Sequence, residues 1–241
     1  MSIIVFQHGA TIGPGRLGAT LRDHGFQLDI RRLDILGARG VPTDLDGVHG
    51  VVSLGGNQNV GEPHAWMAAE LAFLKAAHAR QLPVIGVCLG HQLIAHALGG
   101  KVGSMEKYHV GFERVSLNPT GQTETMLAGI AWDSMQYQDH GQEVKELPPD
   151  ATLLASSPAC RIECFKAGIR TYGFQYHFEA DRAMMERWWA DDAATLARCG
   201  ASSGDLARAC DANYPGFARL ADRLCVNLGT FLFPVMTRIS A

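Results

Sequence analysis

The stretch PVIGVCLGHQLIAHALGG, residues 83–100, decides the fold. It begins with a short apolar run that is typical of a buried strand and continues into an apolar helical pattern over 90–98. Cys88 lies at the junction, with Gly86 two residues before it and Gly90 two residues after it. We therefore predict a strand, a sharp turn that carries Cys88, and a helix.

The two glycines around Cys88 indicate a nucleophile. The form G-x-C-x-G parallels the serine elbow of α/β-hydrolases, in which small flanking residues allow a tight turn and let substrate approach. The positive end of the following helix favours a thiolate, and the backbone N–H of Leu89 is placed to bind an oxyanion. A buried structural thiol is the alternative for a lone cysteine, and the paired glycines favour the nucleophile.

Similar strands precede this one and alternate with helices. The apolar runs are SIIVFQH at 2–8, FQLDIRRL at 26–33 and GVVSL at 50–54. Amphipathic helical patterns over 16–24 and 62–80 lie between strands. Such alternation predicts an α/β fold, with a mostly parallel sheet covered by helices on both faces.

In the second half the pattern becomes antiparallel. The strand-like segments are HVGFERVSL at 109–117, ATLLASS at 151–157, ACRIECF at 159–165 and IRTYGFQYHF at 169–178. The residues KAG at 166–168 predict a short hairpin between the last two. We expect these strands to extend the sheet.

From about residue 181 onward the sequence is helical, with turns predicted at 200–204 and 214–216. The pattern shows no linker, repeat or low-complexity segment. We therefore expect one domain over 1–241, with a helical C-terminal extension.

A thiol nucleophile needs a base within hydrogen-bond reach and a third group that orients the base. His177 stands near the end of TYGFQYHFE, at 171–179, and strand alternation would point His177 and Glu179 to the same face. The alternative for this pair is a solvated strand end. His140, in QYQDHGQE, is a rival base because we expect that segment to form a loop near the site. Residues 101–112 and the segment around His140 are expected to wall the pocket.

Composition excludes several classes of function. The net charge is −3, and no block of Lys and Arg is present, so we expect neither nucleic acid nor a membrane surface as a partner. The N-terminal residues lack the features of a leader, and no apolar stretch is long enough to span a bilayer. We expect a cytoplasmic protein.

Six cysteines in a chain of this kind are expected to be thiols rather than disulfides. Cys160 and Cys164 would share one face of a predicted strand, but no second pair with ligand spacing follows. We therefore predict no metal site.

Three motifs closely resemble the class I, triad-type, glutamine amidotransferases: SLGGNQN at 53–59, GVCLGHQ at 86–92 and GFQYHFE at 173–179. They occur in the family's order, each at a predicted strand end, and the resemblance runs from the first strand to about residue 180. It implies a flavodoxin-like, three-layer core. It also implies attack on the side-chain amide of glutamine, a γ-glutamyl thioester and release of ammonia, with no cofactor.

The resemblance implies a role for each matching residue. Cys88 would be the nucleophile, His177 the base and then the acid, and Glu179 the orienting group. The oxyanion and substrate-binding positions would be Gly55, Gly56, Leu89 and Gln92, and Asn57 and His140 would belong to the pocket wall.

The sequence departs from the family at three places. Asn57 follows the two glycines where the family often has proline, and Phe178 stands between His177 and Glu179 where proline is usual. Gln142 replaces the aspartate of an H-G-D pattern. The last change leaves open whether this segment meets substrate, or a partner, in the family's way.

Two further segments, QHGATIGPG at 7–15 and GEPHAWMAAE at 61–70, look most like stand-alone members similar to the amidotransferase domain of GMP synthase. One hypothesis is a glutaminase that serves a separate synthase subunit. A second is a free-standing hydrolase of γ-glutamyl compounds. A third is a non-catalytic regulatory protein of the same fold, against which the complete triad argues.

Overall fold

A computed structural model describes residues 2–233, and within them nine strands form one sheet. The strands are β1 (Ser2–Gln7), β2 (Gln27–Arg32), β3 (Val48–Ser53), β4 (Val84–Val87), β5 (Lys101–Leu117), β6 (Asp133–Glu146), β7 (Ala151–Ser156), β8 (Cys164–Ala167) and β9 (Thr171–Phe174). The helices are α1 (Gly15–Asp23), α2 (Leu33–Leu36), α3 (Met67–Ala79), α4 (Leu89–Ala97), α5 (Pro119–Thr123), α6 (Arg182–Asp191), α7 (Ala193–Arg198) and α8 (Ser203–Asn227). Short 3₁₀ turns cover Gly37–Gly40 and Thr125–Leu127, and a π-helical turn covers Leu228–Leu232.

The strand order is β2-β1-β3-β4-β9-β8-β7-β5-β6. The first five strands are parallel, in the 2-1-3-4-5 order of flavodoxin-like folds. The remaining pairs are antiparallel. The predicted α/β fold, with a mostly parallel sheet and an antiparallel extension, is confirmed.

Apolar side chains alternate across the sheet and give it two covered faces. On β1, Ile3 and Val5 belong to one buried layer, which also contains apolar residues of α1, α6 and α8. Ile4 and Phe6 belong to the other, together with residues of α3 and α4. Because period-two alternation separates neighbouring side chains, a strand with apolar residues at every position is buried on both faces.

The second crossover helix begins later than predicted, at Met67 rather than Glu62. The carboxylate of Glu62 accepts hydrogen bonds from the backbone N–H and the side-chain amide of Asn59, at 3.0 and 2.7 Å. Glu62 therefore closes a turn before the helix.

Two segments of the second half differ from the prediction. Residues 136–143 form part of β6 rather than a loop, because β5 pairs with β6 over most of its length. Only the end of 159–165 is a strand, since Cys160 lies in a turn that its backbone N–H closes with Ser157 Oγ at 2.9 Å. Strand alternation therefore does not relate Cys160 to Cys164.

The turn predicted at 214–216 is wrong, because α8 is continuous through Pro215. An internal proline disfavours a helix by about 3 kcal/mol. Tertiary contacts on both sides oppose this cost: the Tyr214 hydroxyl accepts hydrogen bonds from Arg16 Nη2 at 2.6 Å and from the Arg182 backbone N–H at 3.1 Å, and Phe217 is buried. Among residues 2–233, no helix is long and apolar enough to cross a membrane.

The close packing of α4 on the sheet predicts a stability effect at Gly90. A Cβ at Gly90 would overlap the backbone carbonyl of Ser53, so Gly90→Ala should lower the free energy of unfolding by about 1–3 kcal/mol. Urea denaturation measures the change. The control is Gly216→Ala, at an exposed position of α8 with open space around it, where a gain of up to about 1 kcal/mol is expected. A Gly90→Ala protein as stable as the parent would contradict the described packing.

Candidate active site

Cys88 sits on the sharp turn between β4 and α4. Its backbone has φ 51° and ψ −106°, a conformation that is uncommon for a residue with a side chain. Hydrogen bonds hold it on both sides: the Cys88 N–H donates to Phe174 O at 2.8 Å, and the Gln92 N–H donates to Cys88 O at 3.1 Å. The N–H of Leu89, the first of α4, has no acceptor within the helix.

Glycines make this turn sterically feasible. A Cβ at Gly86 would lie 2.5 Å from the carbonyl oxygen of Gly90. Side chains at either position would force the strand away from the helix. The turn is therefore a strained, preorganised element of the kind that carries nucleophiles.

His177 lies in a turn three residues after β9 ends at Phe174, rather than on the strand itself. The His177 N–H donates to Tyr137 O at 2.9 Å, which ties the turn to β6. The alternation used to pair His177 with Glu179 therefore does not apply. The turn nevertheless brings the two side chains together, with His177 Nδ1 2.8 Å from Glu179 Oε1.

Helix α1 holds this turn from the other side. The Arg16 N–H donates to the backbone carbonyl of Glu179 at 2.9 Å, and a Cβ at Gly15 would overlap that carbonyl. Gly15 has φ +45°, which also favours glycine. Glu179 is thus placed by the first turn of a helix far away in sequence.

The pKa of His177 is raised well above its ordinary value. Burial disfavours the imidazolium, but the negative charges of Glu179 and Cys88 and hydrogen bonds with both outweigh it. His177 and Glu179 are both buried. The site therefore favours a charged His177 between a carboxylate and the Cys88 sulfur.

The glycine loop after β3 lies directly beside this group. A Cβ at Gly55 would be 2.8 Å from His177 Cε1 and 3.6 Å from Cys88 Cβ. A Cβ at Gly56 would be 2.7 Å from Leu89 Cδ2. The two glycines are thus required by close approach to the elbow, and no ordinary turn residue would fit there.

Gln92 and His140 form the floor of the site. Gln92 Nε2 donates to Gln142 O at 2.8 Å and to Gln175 Oε1 at 3.2 Å. His140 Nδ1 lies 2.9 Å from Gln142 O and its Nε2 lies 3.1 Å from Gln138 Oε1. Burial lowers the pKa of His140 to about 3. Because both ring nitrogens are engaged and the ring stays neutral, His140 fits the wall better than the role of base.

Gln142, the departure from the family's H-G-D pattern, faces inward. Its Oε1 accepts a hydrogen bond from the Val60 N–H at 2.8 Å. It thereby ties β6 to the end of the segment that follows the two glycines.

A cavity of about 430 Å³ opens over Cys88. The sequence-predicted residues that line it are Gly56, Asn57, Cys88, Gln92, His140 and His177. Glu179 lies behind His177, outside this lining. The cavity has the size of a small-molecule site.

Three further wall residues are defined by the structure. The Trp188 ring lies 4.9 Å from the His177 ring, and Trp188 Nε1 donates to Thr11 O at 3.0 Å. The Tyr108 hydroxyl donates to Asp139 Oδ1 at 2.7 Å. Burial raises the pKa of Asp139, and the hydrogen bond from Tyr108 opposes that rise. Tyr108 and Asp139 fall in segments expected to wall the pocket, whereas the sequence pattern of Trp188 indicates only helix packing.

The chain resembles known proteins in sequence. The family model for glutamine amidotransferase class-I matches residues 16–191, which is most of the chain. A glutamine-hydrolyzing GMP synthase subunit of Pyrococcus abyssi is 38% identical over 99 residues, which are 41% of this chain and 51% of that protein. The corresponding protein of Methanobrevibacter smithii is 36% identical over 99 residues, 41% of this chain and 50% of that protein. The chain thus spans about half the length of the curated relatives it matches.

Solved structures show the same fold. A glutamine amido transferase from Methylobacillus flagellatus superposes with a TM-score of 0.84 at 24% identity, covering 94% of this chain and 93% of that one. A glutamine amidotransferase from Thermotoga maritima gives a TM-score of 0.82 at 20% identity, covering 95% and 98%.

The buried His177–Glu179 pair predicts a pKa change. In Glu179→Gln the pKa of His177 should fall, because burial remains while the largest charge that opposes it is gone. NMR titration of the His177 ring measures the shift. Glu186→Gln, on the exposed face of α6, is the matched control and should leave His177 unchanged. An equal His177 pKa in the parent and in Glu179→Gln would contradict the pairing.

Proposed function

Because the chain belongs to the glutamine amidotransferase class-I family, we propose that it hydrolyses the side-chain amide of glutamine and releases ammonia. One observation carries the proposal: Cys88 stands on a strained elbow against the buried His177–Glu179 pair, at the base of an open cavity. A nucleophile, a base and a group that orients the base are thereby in contact.

The first half-reaction forms a thioester. His177 takes the proton of the Cys88 thiol, and Sγ attacks the carbonyl carbon of the substrate amide. The carbonyl oxygen becomes an oxyanion, which the N–H groups of Leu89 and Gly56 bind. His177 then gives its proton to the leaving nitrogen, the C–N bond breaks, and ammonia leaves a γ-glutamyl thioester on Cys88.

The second half-reaction restores the enzyme. His177 takes a proton from water, and the resulting hydroxide attacks the thioester carbon at the same oxyanion site. The C–S bond breaks, glutamate leaves, and Cys88 recovers its proton from His177. Glu179 stabilises the imidazolium in both halves, because its carboxylate lies 2.8 Å from Nδ1 in a buried setting.

The walls suit the amino-acid portion of the substrate. Gln92 lines the cavity one helical turn from Cys88, and Asn57 extends the glycine loop along its rim. The Asp139 carboxyl, whose backbone carbonyl lies 3.6 Å from Cys88 Sγ, can meet a substrate ammonium group. No step of this chemistry requires a cofactor.

We further propose that the helices from Arg182 onward belong to the same domain as the triad, over 1–241. Trp188 of α6 contacts His177, and Arg16 of α1 pairs with Asp222 of α8 at 2.6 Å. These contacts join the helical extension to both sides of the site.

The acceptor of the ammonia is proposed from the relatives. Those that match are named as the glutamine-hydrolyzing subunits of GMP synthases, and this supports a partner that is a separate synthase subunit. A second candidate is hydrolysis of γ-glutamyl compounds. The cavity favours it because the lining continues past the triad to Thr195 and Arg198 of α7, where a leaving group larger than ammonia would have room.

Ammonia release from glutamine tests the proposal. Cys88→Ala should lower kcat by at least about 10³-fold, because a triad member acts as part of a unit. Cys199→Ala, at a thiol outside the cavity lining, is the matched control and should retain the parental rate.

Substrates run in parallel separate the candidates. Release from glutamine supports the amidotransferase, and turnover of γ-glutamyl dipeptides alone supports the second candidate. Activity that appears only when a synthase subunit is added supports the partner. No Cys88-dependent turnover of either substrate, with or without that subunit, would contradict the proposal and favour a non-catalytic protein.

A further inference from the structure

A buried polar cluster lies behind the glycine loop, outside the triad. It consists of His8 after β1, Ser53 at the end of β3 and Glu70 on α3, and all three side chains are buried. Glu70 Oε2 lies 2.8 Å from His8 Nε2, and Glu70 Oε1 accepts a hydrogen bond from Ser53 Oγ at 2.6 Å. Burying a carboxylate and a histidine is costly even when they pair. The cluster therefore contributes little to stability as such.

The cluster contacts the glycine loop through His8. Nδ1 of His8 lies 3.1 Å from the carbonyl oxygen of Gly55. The two ring nitrogens thus both face oxygen atoms, one of a carbonyl and one of a carboxylate. A neutral imidazole has only one N–H, so the imidazolium is the form that donates to both.

The charges around His8 favour this form. Burial disfavours the cation, but Glu70, with hydrogen bonds to Glu70 and to the Gly55 and Leu54 carbonyls, raises the pKa of His8 above its ordinary value. Asp34 of α2 also interacts with this charge; its pKa is lowered mainly by a hydrogen bond from Arg32 and slightly by His8. The Trp66 ring separates His8 from the imidazole of His64, with ring centroids 4.7 Å and 5.5 Å away.

The peptide between Gly55 and Gly56 relates His8 to the elbow. No peptide among the described residues is cis, so the Gly56 N–H points opposite to the Gly55 carbonyl. That carbonyl is bound by His8. The Gly55 backbone itself approaches Cys88 and His177. The Gly56 N–H is thereby directed away from His8 and toward the cavity, which Gly56 lines.

We propose that His8, held by Glu70, fixes the Gly55–Gly56 peptide so that the Gly56 N–H donates to the oxyanion, and that the positive charge of His8 strengthens this donor. The inference rests on the proposed hydrolysis at Cys88. His8 and Glu70 are positioning residues, because they act through the loop and do not touch the reacting atoms.

Ser53 joins this cluster to the elbow. Its side chain donates to Glu70, and its backbone carbonyl lies where a Cβ at Gly90 would stand. The glycine loop and the first turn of α4 therefore share one support. The two proposed oxyanion donors, the N–H groups of Gly56 and Leu89, are held in register by it.

Steady-state kinetics with glutamine tests the inference in His8→Asn, Glu70→Gln and the double variant, which keeps an uncharged pair. An oxyanion forms only along the reaction path, so kcat should fall about tenfold while KM changes by less than about twofold. His8→Asn keeps a donor near Nδ1 and should lose less activity than His8→Ala. Glu124→Gln, which breaks the partly buried pair of Glu124 with Lys166, is the matched control and should retain the parental kcat.

A second readout separates oxyanion stabilisation from displacement of Cys88. Alkylation of Cys88 by iodoacetamide forms no oxyanion, so its rate should be unchanged in His8→Asn and Glu70→Gln. Alkylation that slows in parallel with kcat, or an effect on KM alone, would overturn the inference.

The charge on His8 is measured without turnover, by NMR titration in the Cys88→Ala protein. We expect both ring nitrogens of His8 to stay protonated above pH 7, and a neutral ring there would overturn the inference even if glutamine is hydrolysed. Parental kcat in the His8 and Glu70 variants would overturn it and leave the proposed function intact. Absence of Cys88-dependent turnover in the parent protein would instead overturn the proposed function and, with it, the role given to His8.

Discussion

The close approach of α4 to the ends of β3 and β4 is the constraint on which the site depends. It puts Cys88 at positive φ and requires glycine at position 90, where any side chain would meet the Ser53 carbonyl. The same approach presents the first N–H groups of α4 to whatever binds at the Cys88 sulfur. A looser turn would separate nucleophile and oxyanion donors, which must be held to a fraction of an ångström.

Buried charge is arranged around this turn in two pairs. His177 with Glu179 lies on one side of the glycine loop, and His8 with Glu70 lies on the other. Buried pairs of this kind add little to stability compared with apolar residues of similar volume. Histidine burial without a carboxylate has the opposite result here, since burial lowers the pKa of His140 to about 3. The carboxylates thus determine which buried histidines carry a proton, and those two flank the nucleophile.

The parallel core could be predicted because its elements are marked locally. Glycines at fixed spacing around Cys88 mark the elbow, and β-branched runs mark the strands. Other elements are decided by partners distant in sequence. Residues 136–143 form a strand because β5 lies beside them, and α8 runs through Pro215 because Arg16 and Arg182 bind Tyr214.

The candidate site shows the same division. The motifs predicted that Cys88, His177 and Glu179 would meet, yet the contact is made by a turn tied to β6 and α1, not by strand alternation. The position of Trp188 against His177, and that of Glu70 beside His8, have no local signal, since 62 residues separate His8 from Glu70. Such contacts follow from the folded arrangement of whole elements.

The central claim is that Cys88 becomes covalently acylated, and the direct measurement is to trap that species. Parent protein is mixed with glutamine, quenched in acid within one turnover, digested and analysed by mass spectrometry. The account predicts a γ-glutamyl group on the peptide that contains Cys88, lost on treatment with hydroxylamine as thioesters are. Ammonia release without acylation of that peptide, or with the acyl group on another residue, would contradict it.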